Sequence, residues 1–173
     1  MKNRMNFKLR PWKTSDVDDL SRYANNENIA LNLTNQFPYP YTEKHAISFI
    51  ENVSLVVPTQ VFAIDIDGVA CGGIGLHSKD DIFIKNMELG YWLAEPFWGN
   101  GIITEAIKQM VEYGFKTFDI TRIYATPFGR NVASQRVLEK VGFILEARLV
   151  ETIFKNNEFE DELIYGIRQD SDF

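Results

Sequence analysis

The stretch WGNGIITEA at residues 98–106 places two glycines one residue apart directly before an amphipathic segment. Because glycine has no side chain, Gly99 and Gly101 let another group approach the backbone closely. The N–H groups in the first turn of a helix lack intrahelical partners and carry a partial positive charge. The spacing therefore predicts a cradle for an anionic group such as a pyrophosphate. The alternative is that both glycines only shape a tight turn between a strand and a helix.

Two better-known phosphate motifs do not fit this stretch. A P-loop requires lysine and then serine or threonine after its last glycine, whereas Ile102 follows Gly101. The dinucleotide fingerprint requires a third glycine or alanine where Thr104 stands, early in a parallel sheet. The stretch instead follows strands that we expect to be antiparallel.

A second candidate for chemistry is Glu88, in the stretch NMELGYWL. Alternation predicts a strand in which Glu88, Gly90 and Trp92 share one face. A carboxylate beside a small residue in a central strand could accept a proton from a reacting amine, directly or through a water molecule. The alternative is that alternation simply places an acid on a solvated face.

The stretch NVASQRVLEKVGF at residues 131–143 predicts a helix with recognisable ends. Asn131 is a favourable N-cap, and Ser134 falls at the third helical position, so both residues could have purely local roles. Gly142 followed by Phe143 is typical of a left-handed C-cap with its apolar contact.

Composition limits the classes of protein that this chain can be. Its 173 residues, 45% of them hydrophobic, predict one domain over residues 1–173 with a sizeable core. A net charge of −6 disfavours nucleic acid and anionic lipid as partners and mildly favours a cationic one. The chain has no long apolar run and no secretion leader, so we expect a cytoplasmic protein without a membrane segment.

Cysteine and histidine usage argues against a metal site. Cys71 is the only cysteine, which excludes an internal disulfide and a cysteine-based zinc cluster. It lies among small strand residues, so we expect a packed core residue rather than a nucleophile. His45 and His77 are far apart without ligand spacing, and we interpret both as ordinary surface or core residues.

Periodicity and turn residues predict an α/β chain with a mixed sheet. The first half of the chain is expected to form a strand at 7–10, a helix opened by Ser15 with Asp16, Asp18 and Asp19 in its first turn, and a helix at 42–53. Two strands within 60–76, joined by the Asp67-Gly68 turn, and a strand at 86–93 follow. The second half is expected to form a helix at 102–115, a strand at 122–126, a helix at 132–141, and two final strands near 143–150 and 159–167 hinged at 155–158. Strands and helices alternate after the antiparallel meander, which places parallel strands at the middle of the sheet.

The segment NLTNQFPYPY at residues 32–41 is predicted to be a loop because Pro38 and Pro40 forbid a regular helix. Its aromatic residues Phe37, Tyr39 and Tyr41 allow two interpretations: they line a pocket, or they cap the edge of the core.

The combination of ELGYWLAEPFWGNGIITEAI at 88–107 with NVASQRVLEKVGF at 131–143 resembles the GNAT superfamily of acetyl-CoA-dependent N-acetyltransferases. Within it, the chain is similar to the RimJ/RimL branch, which acetylates the N-termini of ribosomal proteins. The likeness extends from LRPW at 9–12 to ELIYGI at 162–167. It implies the GNAT fold, a mostly antiparallel mixed sheet with a central, splayed parallel strand pair and about four flanking helices.

The resemblance also implies site residues. The superfamily's pyrophosphate loop falls on residues 98–103, where Ile103 replaces a usually small residue. Glu88 would be the base, and Ser134 would protonate the departing thiolate, since Leu138 stands where many members have a tyrosine acid. The implied acetyl-CoA-binding residues are Tyr91, Trp92, Leu93, Trp98, Gly99, Asn100, Gly101, Ile102, Ile103, Thr104, Asn131 and Ser134.

The function implied is direct transfer of an acetyl group from acetyl-CoA to an amine in a ternary complex, without a metal. The acceptor could be a protein N-terminus or a small-molecule amine. The oligomeric state could be a monomer or a homodimer. The rival hypothesis is a catalytically inactive coenzyme A-binding module that acts as a sensor or scaffold.

Overall fold

The structure is a computed structural model that describes residues 6–169. The strands are β1 (Phe7–Pro11), β2 (Val61–Ile66), β3 (Val69–Ser78), β4 (Asn86–Leu93), β5 (Arg122–Ala125), β6 (Ile144–Lys155) and β7 (Glu158–Arg168). The α-helices are α1 (Val17–Ala24), α2 (Glu27–Ala30), α3 (Glu43–Ser54), α4 (Ile102–Thr117) and α5 (Val132–Val141). The predicted strands and longer helices are confirmed, with ends that shift by a few residues. The short helix α2 was not predicted.

The strands form one sheet in the order β1-β2-β3-β4-β5-β7-β6. β4 and β5 pair in parallel, while β1 with β2, β2 with β3, β5 with β7 and β6 with β7 pair antiparallel. The parallel register stops at Glu88 opposite Tyr124, although both strands continue beyond that pair. This divergence confirms the predicted mixed sheet with a splayed parallel pair.

Contacts between residues divide the described chain into two compact units. The first unit comprises the described chain up to Gly75 together with Tyr91–Ala106. The second comprises Leu76–Gly90 and the described chain from Ile107 onward. The expectation of a single domain over residues 1–173 stays a prediction.

The first unit is built around an apolar cluster beneath α1 and α3. Buried side chains of the cluster include Trp12, Leu20, Tyr41 and Ile50. Trp12 meets Phe49 edge to face, with ring centroids 5.5 Å apart. Aromatic pairs in this geometry add stability beyond the area they bury.

The start of the first helix differs from the prediction. A 3-10 turn precedes α1, and Asp16 rather than Ser15 is the residue before the helix. The Asp16 carboxylate is buried, where it accepts hydrogen bonds from the Arg10 guanidinium at 2.7 and 2.9 Å. Asp18 and Asp19 lie in the first turn of α1 as predicted. Asp16 does not, because its carboxylate pairs with Arg10 of β1, and residue types alone do not reveal such a pairing between elements.

The three aromatic residues of the loop at 32–41, which were predicted either to line a pocket or to cap the edge of the core, do not all have the same surroundings. Tyr41 is buried in the core cluster, and Phe37 packs on both Tyr41 and Trp92 at centroid distances of 5.1 and 5.8 Å. Tyr39, in contrast, is 53% exposed. Two of the three rings therefore belong to the core, and one is available to solvent.

The second unit contains a long antiparallel hairpin, β6 and β7, turned at Asn156 and Asn157 with positive φ. In this unit α4 lies close to the sheet at Gly114, where an added Cβ would be 2.6 Å from Leu76 Cδ1 and 2.9 Å from Ile123 Cδ1. The register of β6 against β7 shifts between Leu149 and Ile153. β6 thus extends through a bulge beyond its predicted end.

No helix within residues 6–169 is both long enough and apolar enough to cross a bilayer.

Candidate active site

The turn before α4 has the conformation that only glycine adopts at low cost. Gly99 and Gly101 have φ of +75° and +78°, in the region disfavoured for residues with a side chain. A Cβ built on either glycine would meet no described atom within 4 Å beyond its chain neighbours. The space in front of both glycines is therefore open, and a ligand could reach the backbone there.

The first turn of α4 supplies the donors expected of an anion cradle. The Glu105 N–H donates to the Gly101 carbonyl at 3.2 Å, as expected of the first residue that can form an intrahelical bond. The amides of Ile102, Ile103 and Thr104 precede it, and first-turn amides have no intrahelical acceptor. Together they form the positive end of a helix of 16 residues.

The buried face of α4 begins at Ile102, which is 3% exposed, and continues with Ala106, Ile107 and Met110. Ile103, which the resemblance places where the pyrophosphate loop usually has a small residue, is only half-buried.

Side chains of the turn hold its shape through hydrogen bonds to the backbone. The Trp98 indole N–H donates to the Leu93 carbonyl at 2.7 Å, which ties the turn to the end of β4. The Asn100 amide donates to the carbonyls of Phe97 and Trp98 at 3.1 and 3.2 Å. Trp98 and Asn100 therefore shape the cradle, and the Leu93 carbonyl already has one donor.

Trp92 has a packing role that the sequence did not indicate. Its ring lies against Gly73, where an added Cβ would come within 2.8 Å of the indole nitrogen. Its carbonyl lies against Gly72, at 2.6 Å from an added Cβ. The side chain of Trp92 thus belongs to the core of the first unit, and only its backbone remains a candidate for binding.

Glu88 lies on β4 at the centre of a polar cluster. Its Oε2 accepts from the Lys79 ammonium at 2.5 Å and from the Tyr124 hydroxyl at 3.3 Å. Its Oε1 accepts from the Thr126 hydroxyl at 3.3 Å. The Glu88 side chain is 31% exposed and the Lys79 side chain 32%. The acid is therefore neither fully solvated nor buried, and it is held in place from two other segments.

His77 lies beside this cluster. A Cβ on Gly90 would be 3.6 Å from His77 Nε2, so the imidazole occupies the space that Gly90 leaves free. His77 is exposed at the end of β3, yet partial desolvation by its surroundings lowers its pKa; the charge of Glu88 opposes this shift, and that of Lys79 adds to it. His77 is thus favoured in its neutral form, next to the candidate base.

The residues around Glu88 were not predicted as site residues. Tyr124 lies opposite Glu88 in the parallel register, and Thr126 follows two residues later. Only a strand at 122–126 was predicted here, and a strand prediction does not reveal which other element its side chains meet. Lys79 follows the last residue of β3, where no local signal marks a functional lysine.

Asn131 and Ser134 form the N-terminus of α5. The Asn131 side-chain oxygen accepts from the Ser134 backbone N–H at 3.1 Å, which confirms the N-cap. Ser134 is half-buried in the first turn. The cap orients the residue, and a role of its hydroxyl in chemistry stays a prediction.

Two structural expectations are confirmed. Gly142 has φ of +107° at the end of α5, and the Phe143 N–H donates to the Leu138 carbonyl at 3.1 Å. Cys71 is 1% exposed, and burial raises the pKa of its thiol to about 11, with the charge of Asp19 adding to that shift. A buried thiol that resists ionisation is unsuited to nucleophilic attack.

Comparison with known families decides the kind of protein. The chain matches the acetyltransferase (GNAT) domain family over residues 6–144. The chain belongs to the GNAT family. The family resemblance inferred from the two motifs is thereby confirmed. Among the described residues, no group of three or more His, Cys, Asp and Glu side chains could hold a metal ion.

Individual GNAT proteins resemble this chain to different extents. YdaF of Bacillus subtilis (strain 168), provisionally named a ribosomal N-acetyltransferase, is 34% identical over 101 residues, covering 58% of this chain and 55% of YdaF. The chain spans about half the length of the first curated relatives it matches. Spermidine N(1)-acetyltransferase of Escherichia coli (strain K12) is 22% identical over 157 residues, which are 90% of this chain and 82% of that protein.

The fold of this GNAT chain is shared by a solved structure of RimL, a ribosomal L7/L12 α-N-protein acetyltransferase in complex with coenzyme A. The TM-score is 0.83 at 22% identity, and the match covers 96% of both chains. At this identity the likeness shows the fold alone.

Proposed function

We propose that the protein transfers an acetyl group from acetyl-CoA to the amine of an acceptor. The observation that carries the proposal is the open glycine turn before α4 in a member of the GNAT family. Such a turn presents unpaired amides to a pyrophosphate, which is the anionic part of coenzyme A. The proposal extends to the residues that bind the cosubstrate and to those that move protons.

The binding role falls to the backbone from β4 to the first turn of α4. The amides from Gly99 to Thr104 donate to the pyrophosphate, and the backbone of Tyr91, Trp92 and Leu93 binds the pantetheine arm. Trp98 keeps the turn in register with β4 through its hydrogen bond to Leu93. Because these donors belong to the backbone, coenzyme A binding depends on the shape of the turn more than on any side chain. Asn131 and Ser134 are further candidates.

The catalytic role falls to Glu88 and Ser134. An alkylammonium acceptor must lose one proton before its nitrogen can attack the thioester carbonyl carbon, and Glu88 accepts that proton, directly or through a water molecule. Attack forms the C–N bond and breaks the C–S bond. The Ser134 hydroxyl protonates the departing thiolate, and the second proton of the acceptor nitrogen returns to the Ser134 oxygen, directly or through a water molecule, which leaves a neutral amide and a neutral serine. Acetyl-CoA supplies the activated acyl group.

The acceptor proposed first is the α-amine of a protein N-terminus. The provisional name of YdaF and the RimJ/RimL motifs support it. A polycationic small amine is the second candidate, favoured by the net charge of −6 and by the long alignment with the spermidine acetyltransferase. The two classes differ in size and charge, so one panel of acceptors separates them.

A thiol-release assay tests the proposal. Purified protein and acetyl-CoA are incubated with spermidine and with peptides that have a free N-terminal serine, alanine or methionine. We expect acceptor-dependent release of coenzyme A thiol together with acetylated product by mass spectrometry. In parallel, coenzyme A at about a hundred times its Kd should add about 2.7 kcal/mol to the free energy of unfolding.

The rival hypothesis, a coenzyme A-binding module without catalysis, has a distinct signature. Coenzyme A would raise the melting temperature, but neither the peptides nor spermidine would be acetylated. If coenzyme A neither shifts the melting temperature nor releases heat on binding at millimolar concentration, both the enzyme and the module are refuted.

A further inference from the structure

The carboxylate of Glu88 is held asymmetrically by its neighbours. Oε2 accepts two hydrogen bonds, from the Lys79 ammonium and the Tyr124 hydroxyl. Oε1 accepts one, from the Thr126 hydroxyl, at 3.3 Å. Since each carboxylate oxygen has two lone pairs, Oε2 is saturated and Oε1 retains one free acceptor site. Oε1 is therefore the oxygen that can take up a proton.

Lys79 holds the Glu88 carboxylate and is itself held in place by its neighbours. Its ammonium lies 2.5 Å from Glu88 Oε2 and 5.6 Å from the centroid of the Tyr124 ring, a distance at which a cation interacts with an aromatic face. Arg122 covers Tyr124 too, with its guanidinium carbon 4.6 Å from the ring centroid. The hydrogen bond to Glu88 raises the pKa of Lys79, which keeps the ammonium charged. The positive charge thus has a defined place beside the carboxylate.

An unpaired carboxylate would harm this reaction. At neutral pH an alkyl amine is mostly an ammonium ion, since its pKa is about 10. A bare carboxylate would bind that ammonium as an ion pair and stabilise the protonated form, which cannot attack a carbonyl. A permanent cation on the carboxylate weakens this attraction but leaves one oxygen free to accept a proton.

We propose that Lys79 is a positioning residue that prevents Glu88 from trapping the acceptor as an ammonium ion and that reserves Oε1 for proton uptake. The inference rests on the proposed function, because it assumes that Glu88 takes the acceptor's proton. It assigns to Lys79 a role in kinetics that an ordinary exposed ion pair, which contributes little to stability, would not have.

The test compares Lys79→Met with Lys79→Arg, using spermidine or the serine peptide, whichever the wild-type protein acetylates. We expect Lys79→Met to lower the acceptor KM at pH 7 several-fold and to lower kcat at least tenfold. The loss of kcat should shrink as the pH approaches 9, where more of the acceptor is neutral. Lys79→Arg retains the cation and should restore most of kcat with a KM near that of the wild type.

The pH profile gives a second readout. A carboxylate that has lost a neighbouring cation takes up a proton more readily, so the acidic limb of kcat/KM should move to higher pH in Lys79→Met. In the described part of the chain, four titratable or charged groups surround the Glu88 carboxylate. His77 belongs to β3, Lys79 follows β3, and Arg122 and Tyr124 belong to β5. All except Lys79 stay in the variant, so the change in the limb is attributable to the lost cation.

Lys85→Met is the matched control. Lys85 pairs with Asp119 at 2.6 Å, so this variant removes the same charge and one ion pair without touching Glu88. It should leave KM, kcat and the pH profile unchanged, and melting curves check that all variants fold. The inference is overturned if Lys79→Met behaves as Lys85→Met does, if its KM rises, or if Lys79→Arg is as slow as Lys79→Met. Should Glu88→Gln be fully active, the assignment of Glu88 itself fails instead.

Discussion

At the scale of single residues, the carboxylate of Glu88 and the hydroxyl of Ser134 have contrasting surroundings. Glu88 is held by three side-chain donors, which are Lys79 after β3, Tyr124 in β5 and Thr126 directly after β5. Ser134 is oriented through its backbone, by the side-chain cap that Asn131 supplies. Substitution of Glu88 therefore changes a charge network, whereas truncation of Ser134 removes a hydroxyl and leaves the helix cap in place.

Glu88→Gln should lower kcat by about 10²- to 10⁴-fold, because an amide cannot accept the proton of the acceptor. The Kd for coenzyme A should stay nearly unchanged, since the proposed pyrophosphate donors are backbone groups before and within α4. Steady-state kinetics and calorimetry measure the two quantities. Full turnover in the variant would remove Glu88 from the mechanism.

Ser134→Ala should slow the chemical step, because the thiolate would leave without a nearby proton donor. The Asn131 cap bonds to a backbone N–H, so the stability of the variant should remain close to that of the wild type. Single-turnover kinetics isolates the step from product release. An unaltered rate would leave Ser134 with the purely local role that its helical position also allows.

At the scale of elements, the proposed binding of coenzyme A depends on the backbone conformation of the turn before α4 more than on the side chains of that turn. Gly101 and Gly68 provide a matched pair, since both have positive φ and neither has a described atom within 4 Å of an added Cβ beyond its chain neighbours. Gly68 lies in the β2–β3 hairpin, and Gly101 lies directly before α4. A substitution at each should strain the backbone alike but affect ligand binding differently.

Gly101→Ala and Gly68→Ala should each lower the free energy of unfolding by about 1 to 2 kcal/mol, the cost of a side chain in the left-handed region. Only Gly101→Ala should also weaken coenzyme A binding, because its methyl group projects into the open space before the α4 amides. Urea unfolding and calorimetry on both variants check this. Equal coenzyme A affinity in the two variants would contradict the cradle.

At the scale of the whole molecule, stability should depend on pH through groups whose pKa differs between the folded and unfolded chain. Partial desolvation lowers the pKa of His77 in the folded state, although the residue is exposed. Burial alone would raise the pKa of Asp65, but hydrogen bonds from Arg10 and from the Gly68 N–H lower it overall. Both groups are more readily protonated when the chain is unfolded, so both contribute stability that is lost as the pH falls.

The contribution of His77 should be lost first. Its ordinary pKa is about 6.5, so the free energy of unfolding should begin to fall below that pH and continue to fall towards its lowered folded-state pKa. Asp65 acts only at more acidic pH, below about 4. Urea unfolding at pH 7.5 and 5.5 should show a smaller difference in His77→Gln than in the wild type. Equal differences would contradict the assignment to His77.

Most elements could be predicted because their signals are local. The Asp67-Gly68 turn, the Asn131 cap and the Gly142 C-cap each depend on the conformations that a few residues favour, and each was confirmed. The glycine turn before α4 was predicted for the same reason. The start of α1 was predicted wrongly, because the Asp16 carboxylate pairs with Arg10 on another element.

By itself the sequence determined the family, through two motifs that resemble it, and the mixed sheet, through alternation and turn residues. The base Glu88 and the anion cradle before α4 stay predictions that the sequence made. Only the tertiary structure decided what surrounds Glu88. Lys79 comes from the segment after β3, whereas Tyr124 and Thr126 come from the end of β5, and the register of β4 with β5 is what places Tyr124 opposite the acid. Strand register depends on long-range pairing, and for that reason residue spacing along the chain could not predict the cluster.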